Sequence, residues 1–462
     1  MLFIKDMKFN RQHIPAIHRL TTAATRFLSR NRVLFFRSRV RENVAVRMAA
    51  LFFACLLALT THAARIPIAA HQVPYTITNA GSYVVTDNLS ATGTAITVNA
   101  DFVTIDLNGY TVSGTVNGIL QSPGRHGLTV RNGTLRAPLI GLALQAQGRM
   151  TRVVDVTVMD YATGGMLVGE SALLRNVSAG SNAVASMSGV YGIQTGAGSI
   201  LRDVQVHGLR MTGGNGYGVF AGEAAMIQNV KVRDNRGAAN FTGIRAGHAS
   251  VVRNITAHNN QAGTFFFGVD LGEGSVASSV AIATNQSTSI SRGVFALAGT
   301  VLADLTISGV SWGVQVFSNS IVTRSVFDLH GGSAVLGQNG NLLLDNSLGG
   351  GNITLGNDNL VAGNHLRNAP IIFDSQNYVF DNHFTGVSPA LLASGNLNRM
   401  DRNTSDTGAG MIDANGIKNL IVRNRGPGFS VNAGANDHVA ATLNGSASMT
   451  AAQPWANINT AP

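Results

Sequence analysis

Short runs of aliphatic residues, alternating with polar ones at period two, recur along almost the whole chain. Most are broken at the centre by one small polar residue. These breaks fall at Asn108, Asn132, Asp155, Asn176, Asp203, Asn229, Asn254, Ser279, Asp304, Ser325, Asn346, Asn364, Asn382, Asn403 and Asn424, at steps of 18 to 27 residues. Ile200-Leu201-Arg202-Asp203-Val204-Gln205-Val206 represents the series. Period-two alternation predicts strands. Asn and Asp tolerate the left-handed backbone region better than other non-glycine residues. Each unit therefore predicts two short strands joined by a sharp left-handed corner. A further strand family follows each polar loop: Gly192-Ile193-Gln194, Gly218-Val219-Phe220, Gly243-Ile244-Arg245, Gly268-Val269-Asp270, Gly293-Val294-Phe295 and Gly313-Val314-Gln315. Three strands per unit at such a period predict an all-β solenoid whose coils bury their aliphatics only against neighbours. About fifteen coils near 23 residues each give a body roughly 70 Å long at about 4.8 Å per coil.

These residues carry a resemblance. The corner series resembles the stacked asparagine ladder of right-handed parallel β-helices in the pectate-lyase-like superfamily. The stretch Ile96-Thr97-Val98-Asn99-Ala100-Asp101-Phe102-Val103-Thr104-Ile105-Asp106-Leu107-Asn108-Gly109 looks like the entry coil of many secreted bacterial members. The likeness covers roughly 75–425 and implies a single-stranded right-handed parallel β-helix. That superfamily hosts lyases, hydrolases, tailspikes and adhesins, so fold alone does not choose a function. The motifs of polygalacturonases (Asn-Thr-Asp, Asp-Asp, Gly-His-Gly, Arg-Ile-Lys) are absent, and no aspartate cluster matches the calcium-dependent pectate lyases. His126 in Arg-His-Gly and His248 in Gly-His-Ala do not fit either. The Asn-x-Ser/Thr triplets at Asn176, Asn254 and Asn403 are explained by corner chemistry rather than glycosylation.

Charge changes the picture at one end only. The chain carries +10 formally, but residues 1–47 hold eleven Lys/Arg against two acids and so account for +9 of it. Without a basic surface elsewhere, nucleic acid is an improbable partner. A basic stretch, the apolar run 48–60 and the small residues of Thr61-His62-Ala63-Ala64 have the layout of a secretory signal peptide, with Met48 an alternative start. The run is too short for a comfortable transmembrane anchor. Cys55, the only cysteine, lies inside it, so the mature chain needs no disulfide. The expected organisation is 1–63 as extension and signal peptide, 64–425 as the β-helix, and 426–462 as a tail covering the last coil. The product is expected to be secreted, periplasmic or on the cell surface.

Candidate chemistry emerges when the chain is read by column. In the Gly-aliphatic strands the aliphatic residue points inward, so the next one points out. That column is Gln194, Phe220, Arg245, Asp270, Phe295, Gln315; three residues later a second column reads Ala197, Glu223, His248, Glu273. In relatives, saccharide chains lie on this face. Glu223, Arg245, His248, Asp270 and Glu273 are thus the candidate catalytic residues. Phe220, Phe295, Trp312, Phe266, Arg210 and Arg236 are candidate substrate contacts, from the column and the long loops beside it. Aromatic faces stack on sugar rings, and a guanidinium grips a uronate carboxylate bidentately. The plain alternative is a row of solvated groups with a surface ion pair between Arg245 and Asp270. His365 and His383 share a register, which predicts stacked imidazoles; two ligands make a thin metal site. Arg131, Arg175, Arg202, Arg253, Arg324, Arg402 and Arg423 precede the corners as a broken stripe that solubilises a sheet edge. No cofactor is evident, and calcium has no acidic cluster behind it. Two functions remain: a polysaccharide- or glycan-binding protein that also cleaves if those residues are catalytic, as a lyase or glycoside hydrolase, or a non-catalytic structural or adhesive solenoid.

Overall fold

The computed structural model describes residues 65–144, 148–181, 184–185, 189–329, 331–387, 389–406, 412–427, 430–433, 437–440, 442–444 and 455–459. The expected signal peptide with Cys55, and Pro454 of the tail, lie outside the described residues. The described chain is a parallel β-solenoid of about fifteen coils. No α-helix occurs among the described residues; one turn of 3-10 helix spans Ala70–Gln72.

Long strands such as Leu173–Gly180, Ile200–His207, Met226–Arg233 and Val251–His258 pass straight through a left-handed residue. One strand therefore serves two faces: a first face before the corner and a second after it. The third face is built by Val190–Thr195, Asn215–Ala221, Asn240–Ala246, Phe265–Leu271, Ile290–Ala296 and Trp312–Val316, stacked in parallel. Leu201, Val204, Val206 and Val219 of one coil are all buried, as are their equivalents above and below. Each coil thus closes its apolar interior against its neighbours.

The corner series needs one correction. Nine members, from Asn108 to Asp304, do have positive φ. From the next coil on, the left-handed residue is one position earlier: Arg324, Asp345, Gly363, Asp381, Arg402 and Arg423. The strand register pairs Thr306 with Val326, so Ser325 stands beside Leu305 rather than Asp304. Ser325, Asn346, Asn364, Asn382, Asn403 and Asn424 accordingly point inward and are buried. The two groups do different work. Outer corner residues bridge neighbouring coils at the surface, as where the Asn254 side-chain amide donates to Asn229 Oδ1 at 2.7 Å. Inner asparagines form a ladder in which each backbone N–H donates to the Oδ1 of the next coil, Asn364 to Asn382 at 3.0 Å and Asn382 to Asn403 at 3.1 Å. The last rung is Asn424 to Asn457 at 2.9 Å, and strand Asn457–Asn459 pairs with Arg425–Gly426. A second buried ladder runs through Asn341, Asn359, Asn377, Asn398 and Asn419 at the preceding corner.

The glycine at the middle of each of these third-face strands has a steric cause. A Cβ on Gly218, Gly243, Gly268 or Gly293 would meet the carbonyl oxygen of the next coil at 2.5 or 2.6 Å. Side chains are therefore excluded there, and the residues on either side of each Gly-aliphatic pair both face outward.

Because every ladder asparagine satisfies two coils at once, Asn382→Ala should destabilise the protein by roughly 2–3 kcal/mol, the cost of leaving buried donors unpaired. Denaturant unfolding of the variant and wild type measures this; a loss under about 0.5 kcal/mol, as for an ordinary surface change, would contradict the role given to the ladder.

Candidate functional site

The predicted column is realised. Gln194, Phe220, Arg245, Asp270, Phe295 and Gln315 are direct partners on six successive third-face strands. The second column also stacks. Backbone N–H groups of Ala224 and Ala249 donate to the carbonyls of His248 and Glu273, each at 2.8 Å, and Glu223, His248 and Glu273 are exposed. The Glu273 backbone N–H also donates to His248 Nδ1 at 3.1 Å. That contact leaves Nε2 as the protonated nitrogen of the neutral ring.

A further outward column lies one residue before each glycine: Tyr191, Tyr217, Thr242, Phe267, Arg292 and Trp312. Sequence reading named Trp312 but not the column, because strict alternation would turn these positions inward. The glycine breaks that alternation, and the bulky aromatics placed directly before it were the available signal. With this column the face becomes two aromatic clusters around a charged centre. Tyr191 and Tyr217 stack at 5.2 Å, with Phe220 edge-on to both at 5.7 and 5.4 Å. In the other cluster Phe295 meets Phe267 and Phe317 edge-on at 5.9 and 5.6 Å. Arg292 lies over Phe267, Phe295 and Trp312 at 5.3, 5.8 and 5.0 Å. Such ring–guanidinium contacts are attractive through the ring quadrupole. Between the clusters Arg245 sits over Phe220 at 5.5 Å and 3.5 Å from the Asp270 carboxylate.

One proposed contact is misplaced. Phe266 is fully buried and stacks on Phe241 inside the solenoid; in Phe265-Phe266-Phe267 it is the middle residue that alternation turns inward. Arg210 and Arg236 are exposed and adjacent in register, but on a narrow parallel ribbon of two-residue strands. That ribbon, Arg210–Met211, Arg236–Gly237, Gln261–Ala262 and Gln286–Ser287, absorbs most of the long loops. Arg236 donates to Gln261 at 3.0 Å. The loops stack flush instead of standing up as separate walls.

Burial governs the electrostatics. It raises the Asp270 carboxyl above the usual range, with Arg245 opposing the shift. It also lowers the Arg292 guanidinium, whose Nε is buried without a protein partner. Gln315 Oε1, in the same cluster, is likewise unpartnered. Desolvated polar atoms of this kind call for a ligand or ordered water.

Elsewhere, His365 and His383 share a register as expected, with ring centroids 5.0 Å apart, but the rings are tilted by 41° rather than stacked. Both His383 nitrogens are engaged, Nδ1 with Thr404 at 2.8 Å and Nε2 with Asp406 at 3.2 Å. Among the described residues no three His, Cys, Asp or Glu side chains are grouped to hold a metal. The arginine stripe is partly neutralised, Arg131 by Asp106, Arg324 by Asp304, Arg402 by Asp381 and Arg423 by the buried Asp401.

The Asp270 shift has a consequence for stability. A raised folded-state pKa favours folding below the unfolded value and loses that contribution as pH rises through the folded value. Asp270→Asn, which cannot ionise, should therefore gain stability relative to wild type as pH is raised from about 3 to 7. Thermal melts of both proteins across that range check the sign; a constant difference would mean that burial leaves this carboxyl unperturbed.

Comparison with known proteins adds little beyond this geometry. No family model matches the chain, and no curated protein sequence does. Among solved structures it is similar to the A-module of the mannuronan C-5 epimerase AlgE6 of Azotobacter vinelandii, with 15% sequence identity over 78% of this chain and 90% of that one, at a TM-score of 0.33.

Proposed function

We propose that the protein grips an acidic polysaccharide along the third face, as a secreted or cell-surface solenoid. The observation that carries this reading is the set of rings at Tyr191, Tyr217, Phe220, Phe267, Phe295 and Trp312, interleaved on adjacent coils with the guanidiniums of Arg245 and Arg292. Flat rings suit the apolar faces of sugars. Guanidiniums suit the carboxylates that uronates carry along the chain. A coil repeat of about 4.8 Å is close to the spacing of a sugar unit, so an extended polymer laid along the axis meets fresh side chains continuously.

Cleavage is the finer version of this reading. Asp270, with its raised pKa beside Arg245, suits a general acid. Glu223 and Glu273 stand two coils apart, roughly 9–10 Å by strand spacing, at the outer limit of the 6.5–9.5 Å used by inverting hydrolases. In a lyase, Arg245 would take the proton beside the uronate; His248, the other candidate, has its one ring lone pair engaged by the Glu273 N–H. One observation favours the non-catalytic, adhesive alternative: the loops beside the face pair with one another as a parallel ribbon.

Titration of the full chain against uronate oligosaccharides, with parallel assays for unsaturated products and new reducing ends, separates these readings. Arg245→Ala should weaken oligouronate binding by about 1.5–3 kcal/mol, the worth of hydrogen bonds to a charged group. Its melting temperature should fall only modestly, because Arg245 is half exposed although the Asp270 carboxylate it leaves behind is partly buried. Equal affinities of variant and wild type would move the contact elsewhere on the molecule. Failure to bind any glycan would remove the reading.

A further inference from the structure

The first and second faces are made by the same strands, yet their outward surfaces differ in kind. On the second face the outward positions are polar in most coils, as at Gln205, Lys231, Thr256 and Thr306. On the first face one outward column is apolar for ten consecutive coils, from Leu173 to Tyr378. Over six of these coils it reads Val276, Val301, Ile321, Leu342, Leu360, Tyr378. The companion column reads Ser278, Ala303, Thr323, Leu344, Ala362, Phe380. No charge interrupts either one. Core packing does not require this, since the inward column lies between them. A continuous outward apolar strip on a water-exposed sheet marks a contact surface.

We infer that this strip is where two copies of the chain associate, antiparallel, about a two-fold axis along the strand direction between the coils of Ile321 and Leu342. Three features commit the strip to a second copy. Side-chain size grows along it, from Val276 and Ser278 at one end to Tyr378 and Phe380 at the other. That axis sets Val276 against Tyr378, Val301 against Leu360 and Ser278 against Phe380, so small meets large towards both ends, with Ile321 against Leu342 at the centre and Ala303 against Ala362 in the companion column. A parallel pair would instead set large on large and leave the small end gaping. The same axis places Met226, a protruding side chain 39% exposed, opposite Leu420, which lines a cavity of about 560 Å³ with Arg399, Val422, His438 and Trp455. A knob on one copy thus meets a hole on the other, twice. Finally, the area suffices. Ten facing rungs from Met226 to Leu420, roughly 50 Å long and 10 Å wide, bury on the order of 1,000 Å² in total, the least that a specific interface needs. The anatomy agrees: an apolar centre with arginines at the margin, where Arg175, Arg202 and Arg253 have no carboxylate partner among the described residues.

Sedimentation of the full chain at concentrations up to about 100 µM, where a contact of this size should be populated, tests the proposal. Wild type is expected as a dimer. Leu342→Glu should raise the dissociation constant about 100-fold or more by burying a charge at the axis. Val326→Glu, an equal burden on the neighbouring second face, should leave it unchanged, with circular dichroism confirming that both variants are folded. In a Cys55→Ser background, a short bismaleimide should cross-link a mixture of the Val276→Cys and Tyr378→Cys proteins but neither protein alone, because the axis holds each of these positions five coils, roughly 24 Å, from its counterpart in the other copy. A monomer at every concentration, or a dimer indifferent to Leu342→Glu, overturns the proposal; cross-linking of either single variant to itself overturns the antiparallel arrangement.

Discussion

Hydrogen bonding from coil to coil at one fixed spacing is the constraint on which the rest of this structure depends. No coil satisfies its own backbone, and none closes its own apolar interior. Every strand pairing is parallel and every rung finds its partners one turn away in the stack. A change of register anywhere would misplace whole columns of side chains, which is why corners are policed so heavily. Left-handed residues hold the outside of the bend, and buried asparagines hold the inside. Glycine keeps the third face open where neighbouring backbones pass at close range.

The same constraint organises the surface. Since each position repeats along the axis, the chain displays columns rather than scattered residues, and the three faces acquire separate characters. The third carries rings and guanidiniums, the second is polar, and the first is apolar. Arg245 and Asp270 are adjacent only because their coils stack in register, being 25 residues apart in sequence. Binding chemistry here is composed across the coils, each contributing one or two groups.

Much of this was legible in the chain because the solenoid turns a three-dimensional neighbour into a fixed sequence offset. The strand families, the outward column from Gln194 to Gln315 and the shared register of His365 and His383 all follow from period and alternation. Two readings failed at the same glycines. The residue before each of them was not read as a column, which left Tyr191, Tyr217 and Arg292 unnamed, while Phe266 was taken as a surface ring. The corner series slipped by one residue at Ser325 because asparagine serves equally as a left-handed corner and as a buried ladder rung. Sequence spacing alone, 21 residues against 20 at that step, could not separate the two roles. Which aromatic atoms face one another, and that Arg292 is wedged among three rings, depends on packing that no period encodes.

The switch at Ser325 also divides the molecule by temperature response. From Asp155 to Asp304 the position after the corner is aliphatic, as in Val204, Val230, Ile255 and Val280; beyond it the same position is Ser325 and then an asparagine in a hydrogen-bonded ladder. Burial of apolar surface weakens as the solution is cooled. Both halves of the solenoid keep an apolar interior, but at this corner only the first relies on a force that fades in the cold.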